Sequence, residues 1–161
     1  MFAVALTDQY WFEFLRENEF CEVINFWTPT PWRIKGLTQG NNFYFFRKNP
    51  VRKIAGGGKF AGYSEMTIQQ AWEKYKVGNG CKNLNDLKGK IKEYLGNPLT
   101  TDLMNHKIGC IELVNCKFLN TPRFFAPSKF DVEFPSNLQK LKYFHIEDKF
   151  EEYLNTHGKP Q

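Results

Sequence analysis

The chain has 161 residues and a mass of 19.0 kDa, the size of one ordinary domain. With 42% hydrophobic and 24% charged residues it is not a disordered tail, and no apolar run approaches the ~18 residues of a membrane-spanning helix. The net charge of +5 favours an anionic partner, and 16 Phe, 7 Tyr and 4 Trp are more rings than so small a core requires.

In chain order, Phe2 to Leu6 is short and apolar and reads as a buried strand, with Asp8 placed to cap a helix over Asp8 to Glu17. Trp11, Phe14 and Leu15 fall on one face of that helix. Cys21 to Phe26 reads as a second strand. Trp27-Thr28-Pro29-Thr30-Pro31-Trp32 reads as a stiff, extended loop, because its two prolines fix φ and remove donors. After a turn over Gly36 to Asn42, Phe43 to Arg47 and Arg52 to Tyr63 read as a hairpin with a basic tip. Gly56-Gly57-Gly58 inside the second arm marks a bulge or a close backbone approach to a ligand.

Thr67 caps a helix to Tyr75, on which Trp72 reads as core. Gly78-Asn79-Gly80 ends it. A second helix over Asn83 to Leu95 sets Leu84, Leu87, Ile91, Tyr94 and Leu95 on one face and lysines on the other. Ile108 to Phe118 reads as a strand, Asn120 to Ser136 as short strands and turns, Lys140 to Phe144 as the strand that closes the sheet, and Glu147 to Leu154 as a last helix. The expected class is α+β: a small, mostly antiparallel barrel with flanking helices, one domain over 1–155 and a tail over 156–161.

The positive charge is concentrated. Between Val23 and Ser64 there is no acid, and Arg33, Lys35, Arg47, Lys48, Arg52, Lys53 and Lys59 stand among Phe and Trp. With 22 basic and 17 acidic residues in all, the rest of the chain is slightly acidic. Cations interleaved with rings are the usual footprint of nucleic-acid contact.

Chemistry-bearing patterns are few. Cys21, Cys81, Cys110 and Cys116 form no CxxC pair, and the spacing of His106, Cys110 and Cys116 fits no common zinc site. There is no HNH, HExxH or GxSxG pattern, and Asp131-Val132-Glu133 lacks the lysine of a metal-nuclease site. The expectation is a binding protein, not an enzyme, with no metal or cofactor. The N-terminal run carries Asp8 and Glu13 and no basic opening, which argues for a cytoplasmic chain without a signal peptide.

The order Asn25-Phe26-Trp27, Gly40 with Phe43-Tyr44-Phe45, Gly56-Gly57-Gly58 with Phe60, Ala71-Trp72-Glu73 and Gly78-Asn79-Gly80 resembles the EVE branch of the PUA-like superfamily, which is related to YTH domains. More closely, it resembles the N-terminal module of bacterial HNH-type restriction endonucleases that act on modified DNA. The resemblance implies a reader of modified bases, in which a base is flipped into a pocket walled by tryptophans. Trp27-Thr28-Pro29 matches the position of the first cage tryptophan. Trp32 or Trp11 is a candidate second wall, and Asn25, Thr28 and Asp8 are candidates for the base's Watson–Crick edge. No HNH segment follows, so cleavage does not carry over.

The leading expectation is therefore a DNA-binding module for a methylated or hydroxymethylated base. It would be the specificity part of a restriction or defence system, with a nuclease or ATPase subunit as partner and no membrane. The alternatives are a PUA-like module reading modified RNA, and a small-molecule or protein-interaction domain. A pocket at Trp27 lying away from the basic hairpin would favour the last.

Overall fold

The computed structural model describes residues 1–18, 22–96, 102–138 and 140–160. Cys21, where the second strand is expected to start, and Gln161 at the end of the tail lie outside them. The chain runs β1 (Phe2–Thr7), α1 (Gln9–Glu17), β2 (Val23–Thr28), β3 (Asn42–Arg47), β4 (Ile54–Thr67), α2 (Ile68–Tyr75), α3 (Leu84–Leu95), β5 (Lys107–Phe118), β6 (Leu141–Phe144), α4 (Phe150–His157) and β7 (Lys159–Pro160).

Local chemistry sets most boundaries. The Asp8 carboxylate accepts from the Trp11 amide at the start of α1. Thr67 and Gln70 form a reciprocal capping box on α2. Asn83 caps α3, and Gly96 ends it in the left-handed region. In each case a side chain supplies the acceptor that the free amides of the first turn need.

The strands form one seven-stranded sheet in the order β2-β5-β4-β3-β1-β6, with β7 added to β5. β1 and β3 are parallel, while the other pairs are antiparallel. The expected closed barrel is corrected here. β6 adds to the edge of β1 instead of closing the sheet, and the path stays open between β2 and β6 among the described residues. The sheet is nevertheless strongly curled: Phe26 on β2 packs on Phe43 of β3, with ring centroids 5.0 Å apart, although β5 and β4 lie between them in the pairing order.

Register shifts around Gly57 and Gly62 in β4 supply the bend. A Cβ on Gly58 would sit 2.5 Å from Cys116 Sγ, and one on Gly57 2.8 Å from the Phe43 carbonyl oxygen. The glycines therefore answer to the neighbouring strands.

Two apolar clusters flank the sheet. The larger holds the Phe residues of β1, β3, α1 and α4. The smaller lies under α2 and α3 and holds Cys81 and Cys110. Trp27 packs against both.

Several expectations shift. α1 buries Phe12 fully and leaves Phe14 only half-buried. Asn120 to Ser136 forms 3-10 turns and one bridge, Ile54 to Phe125, with no strand of its own. The last helix starts at Phe150, because Asp148 Oδ1 accepts from the Phe150 and Glu151 amides. The end of the expected tail pairs with β5.

Candidate functional site

A cavity of about 250 Å³ opens where the ends of β1 and β3, the exit of β2 and the last turn of α3 meet. That is just under the roughly 300–1,000 Å³ of drug-sized ligand pockets, and it suits one planar ring system. Trp11 and Phe26, both nearly buried, form its deep part with ring centroids 5.1 Å apart. Trp27 and Trp32, half-buried, stand nearer solvent.

Trp27 and Thr28 are the last residues of β2 and not part of the Pro-rich loop, so Trp27 is anchored by strand register opposite Cys110. Its indole nitrogen donates to the Asn79 carbonyl at 2.9 Å, and that of Trp11 donates to the Asn25 carbonyl at 3.1 Å. Gly80, at φ +75°, has no room for a side chain, because a Cβ there would run into the Trp11 ring.

The polar lining comes from distant parts of the chain. Asp8 caps α1 with Oδ2 and accepts from the Tyr94 hydroxyl at 2.6 Å with Oδ1. Lys48 donates to the Tyr94 hydroxyl at 3.2 Å and lies 5.0 Å above its ring. Burial, and then the bond to Asp8, push the Tyr94 hydroxyl well above its ordinary pKa, so it stays a donor to the carboxylate. Tyr94 also meets Trp27 edge-on at 6.0 Å, and Lys140 lies 5.9 Å from the Trp32 ring.

Of the expected base-pocket residues, Trp11, Trp27, Trp32 and Asp8 meet in this cavity. Asn25 and Thr28 do not line it. Thr28 is buried and donates to the Thr30 carbonyl at 2.6 Å. Asn25 is fully buried beneath, with Nδ2 donating to Asn79 Oδ1 at 2.9 Å and to Cys110 Sγ at 3.4 Å. Its Oδ1 is buried and finds no hydrogen-bond partner among the described residues. Trp72 lies half-buried on the smaller cluster, away from the cavity.

Tyr94 and Lys140 are lining residues that sequence reasoning missed. Tyr94 sits at the helical spacing of core residues, yet it is 43% exposed. Lys140 lies far outside the basic stretch.

The seven basic residues divide. Arg33, Lys35, Lys48 and Lys53 are exposed. Arg47 is only 6% exposed; it pairs with Glu13 at 3.2 Å and lies over the Phe12 and Phe124 rings. Arg52 packs over Phe46 and donates to the Pro135 carbonyl. Lys59 donates to Glu151 at 2.6 Å and to Asn42 Oδ1 at 2.5 Å; the bond from Lys59 and a second from Asn42 Nδ2 at 2.8 Å hold the Glu151 carboxyl below its usual range. Arg47 and Lys59, expected among the backbone-contact residues, each already have a carboxylate partner, unlike the four exposed cations. Gly57, Gly58 and Lys59 line a second cavity of about 430 Å³, which shares no residue with the first.

His106, Cys110 and Cys116 do not converge. The His106 ring bonds the Pro29 carbonyl, and the two cysteines belong to different clusters. No helix among the described residues is long and apolar enough to cross a membrane.

Fold and site together define a mixed α+β domain with an aromatic pocket beside a cationic rim. Solved structures similar to it include ASCH proteins. The ASCH protein from Zymomonas mobilis has a TM-score of 0.56 at 11% identity, covering 98% of this chain and 95% of that one. A tyrosine-to-phenylalanine form of it gives 0.58 at 12% identity, covering 98% of each chain. A serine-to-alanine form gives 0.59 at 11%, covering 96% and 95%. No protein-family model and no curated protein matches the chain. At such identities the likeness establishes a fold shared with these ASCH structures, and it does not single out the EVE branch or YTH domains.

Proposed function

We propose that the chain is a nucleic-acid-binding module that takes one extruded base into the cavity between Trp27, Trp32 and Trp11. The favoured target is a methylated or hydroxymethylated base in DNA. In this reading the chain is the specificity part of a restriction or defence system, and cleavage belongs to a nuclease or ATPase-driven partner. The observation that carries it is contiguity. Lys48, on the exposed tip between β3 and β4, is itself a lining residue of the aromatic cavity. Phosphate contact and base capture would then occupy neighbouring positions, as extrusion of one nucleotide requires. Incidental surface lysines would have no reason to border the pocket.

The energetics are adequate. Stacking on an aromatic wall is worth about 1–3 kcal/mol per base, which offsets part of the unstacking cost. One methyl group in an apolar pocket adds roughly 1–3 kcal/mol of discrimination. Asp8 lines the cavity and, acceptor-only when ionised, would take an amino hydrogen from the base edge with a lone pair left free by the Trp11 amide and the Tyr94 hydroxyl.

The test is a binding titration of duplexes that carry one 5-methylcytosine, 5-hydroxymethylcytosine or N6-methyladenine against unmodified duplex, with RNA of the same sequence in parallel. Wild type should prefer one modified duplex by about 10- to 200-fold. Trp27→Ala should erase most of that preference and leave the salt-dependent affinity for unmodified DNA in place. Tighter binding of modified RNA would transfer the reading to RNA. Equal, salt-insensitive affinity for all of them would refute it.

A further inference from the structure

Trp11 and Trp27 come from different elements, yet they are held in the same way. Each indole N–H donates to the backbone carbonyl of an asparagine, Asn25 for Trp11 at 3.1 Å and Asn79 for Trp27 at 2.9 Å. The two asparagines are joined to each other, Asn25 Nδ2 donating to Asn79 Oδ1 at 2.9 Å. Asn79 is fixed further by Nδ2, which donates to the Ala71 carbonyl at 3.0 Å and the Lys76 carbonyl at 2.9 Å. An unbroken chain of bonds therefore runs from one wall of the cavity through two amides to the other.

The amide orientations follow from this chain. Turning Asn25 over would set two carbonyl oxygens against each other. Its present orientation leaves Oδ1 buried and without a partner among the described residues. A leucine of similar size at position 25 would remove that oxygen, and it would also take away the Nδ2 donor of the buried Asn79 Oδ1. Neither asparagine lines the cavity, so any effect on a ligand passes through the tryptophans.

We propose that the Asn25–Asn79 amide pair is a positioning device that couples Trp11 to Trp27 and sets the distance between the two walls. Its consequence for ligand choice rests on the reading given under Proposed function. Its consequence for the rings does not.

The test follows the four indole N–H resonances of ¹⁵N-tryptophan-labelled protein, assigned with single Trp→Phe variants. In wild type, the Trp11 and Trp27 indole hydrogens should exchange through one opening, with the same denaturant dependence and a different one from Trp32 and Trp72. Different denaturant dependences for Trp11 and Trp27 would overturn the coupling. In Asn25→Leu, both indole signals should move and exchange faster in the folded protein, and some thermal stability is lost because the buried Asn79 Oδ1 loses its donor. Discrimination between modified and unmodified duplex should fall by about 2- to 30-fold, with affinity for unmodified duplex unchanged. A merely structural amide predicts lower stability with the indole signals and the discrimination unchanged in the folded fraction. If Asn25→Leu does not fold, the wild-type exchange measurement decides alone. If wild type fails to discriminate among duplexes, the functional reading falls while the exchange result still decides the coupling. If wild type discriminates and folded Asn25→Leu does so equally, the coupling has no bearing on the pocket and the proposal is wrong.

Discussion

Arg47 and Lys48 are adjacent in sequence and equally charged, yet their replacement by alanine should have opposite consequences. The Arg47 side chain is 8% exposed and paired with Glu13, which is 28% exposed. Its guanidinium lies 5.3 Å from the Phe12 ring centroid and 5.7 Å from that of Phe124. Removing one partner of a buried pair costs about 3–5 kcal/mol. The lower end applies here, because Glu13 keeps Arg16 as a second partner. A loss of about 3 kcal/mol lowers Tm by roughly 6–12 °C in a chain of this size.

Lys48 is exposed, and its loss should move stability by less than about 0.5 kcal/mol. It should instead reduce the salt slope of duplex binding by about 0.9. Over a fourfold change in salt, the ratio of wild-type to variant affinity then changes about 3.5-fold. Calorimetry and a salt titration of both variants decide the matter. An Arg47→Ala protein with wild-type Tm and a reduced salt slope would refute the division of the basic residues argued above.

Three further outcomes follow from the same geometry. Gly80→Ala should destabilise the fold and shift Trp11 fluorescence, because position 80 has φ +75° and a methyl there meets the indole. Wild-type stability with unchanged emission would contradict the packing. Cys81 and Cys110, pushed by burial up to about 12 and about 11, should resist a thiol reagent at pH 8 until the protein unfolds. Fast modification of either in folded protein would count against their burial. Tyr44, Tyr75 and Tyr94 are all raised, by burial first and by hydrogen bonds to carboxylates second. The folded state holds these protons more tightly than the unfolded chain. Stability is therefore unaffected below about pH 10, the ordinary tyrosine value, and is lost above it. Tyr94→Phe should move the alkaline unfolding midpoint upward, read by tyrosinate absorbance and circular dichroism together.

What the sequence makes legible is local. Asp8, Thr67 and Asn83 announce helix starts because each satisfies a free amide within three residues. The apolar runs of β1 and β3 announce buried strands because both faces are covered. Trp27, Trp32, Trp11 and Asp8 are legible as a group through aromatic type and the family resemblance, and they share a cavity. What is lost depends on contacts distant in sequence. The acid-free stretch looks like seven free cations until Glu13 and Glu151 arrive from outside it to pair with Arg47 and Lys59. Tyr94 has the spacing of a core residue and an environment set by Asp8, 86 positions away. Asn79 reads as part of a helix stop, and its role as the anchor of Trp27 needs a contact across 52 positions. The extension of β2 through Trp27 and Thr28 is set by pairing to Cys110 and Gly109, against the local expectation created by Pro29 and Pro31.

The open sheet and the cavity have one origin. β2 ends the sheet on one side and β6 on the other. Phe26 and Trp27 face the cavity from the first edge. Leu6 and Lys140 face it from the second, where the Leu6 amide donates to the Lys140 carbonyl at 2.8 Å. The curl that brings Phe26 onto Phe43 carries the two edges close enough to share a pocket, with no pairing between β2 and β6 among the described residues. Had β6 reached β2 and closed the barrel, side chains would fill the gap, as they do in small closed barrels. The gap instead has apolar rings inside it and lysines at its rim. A surface built only to seal an open sheet would be covered by apolar side chains. This one combines reachable ring faces with an acceptor-only carboxylate, which is what a flat, hydrogen-bonding, partly apolar ligand requires.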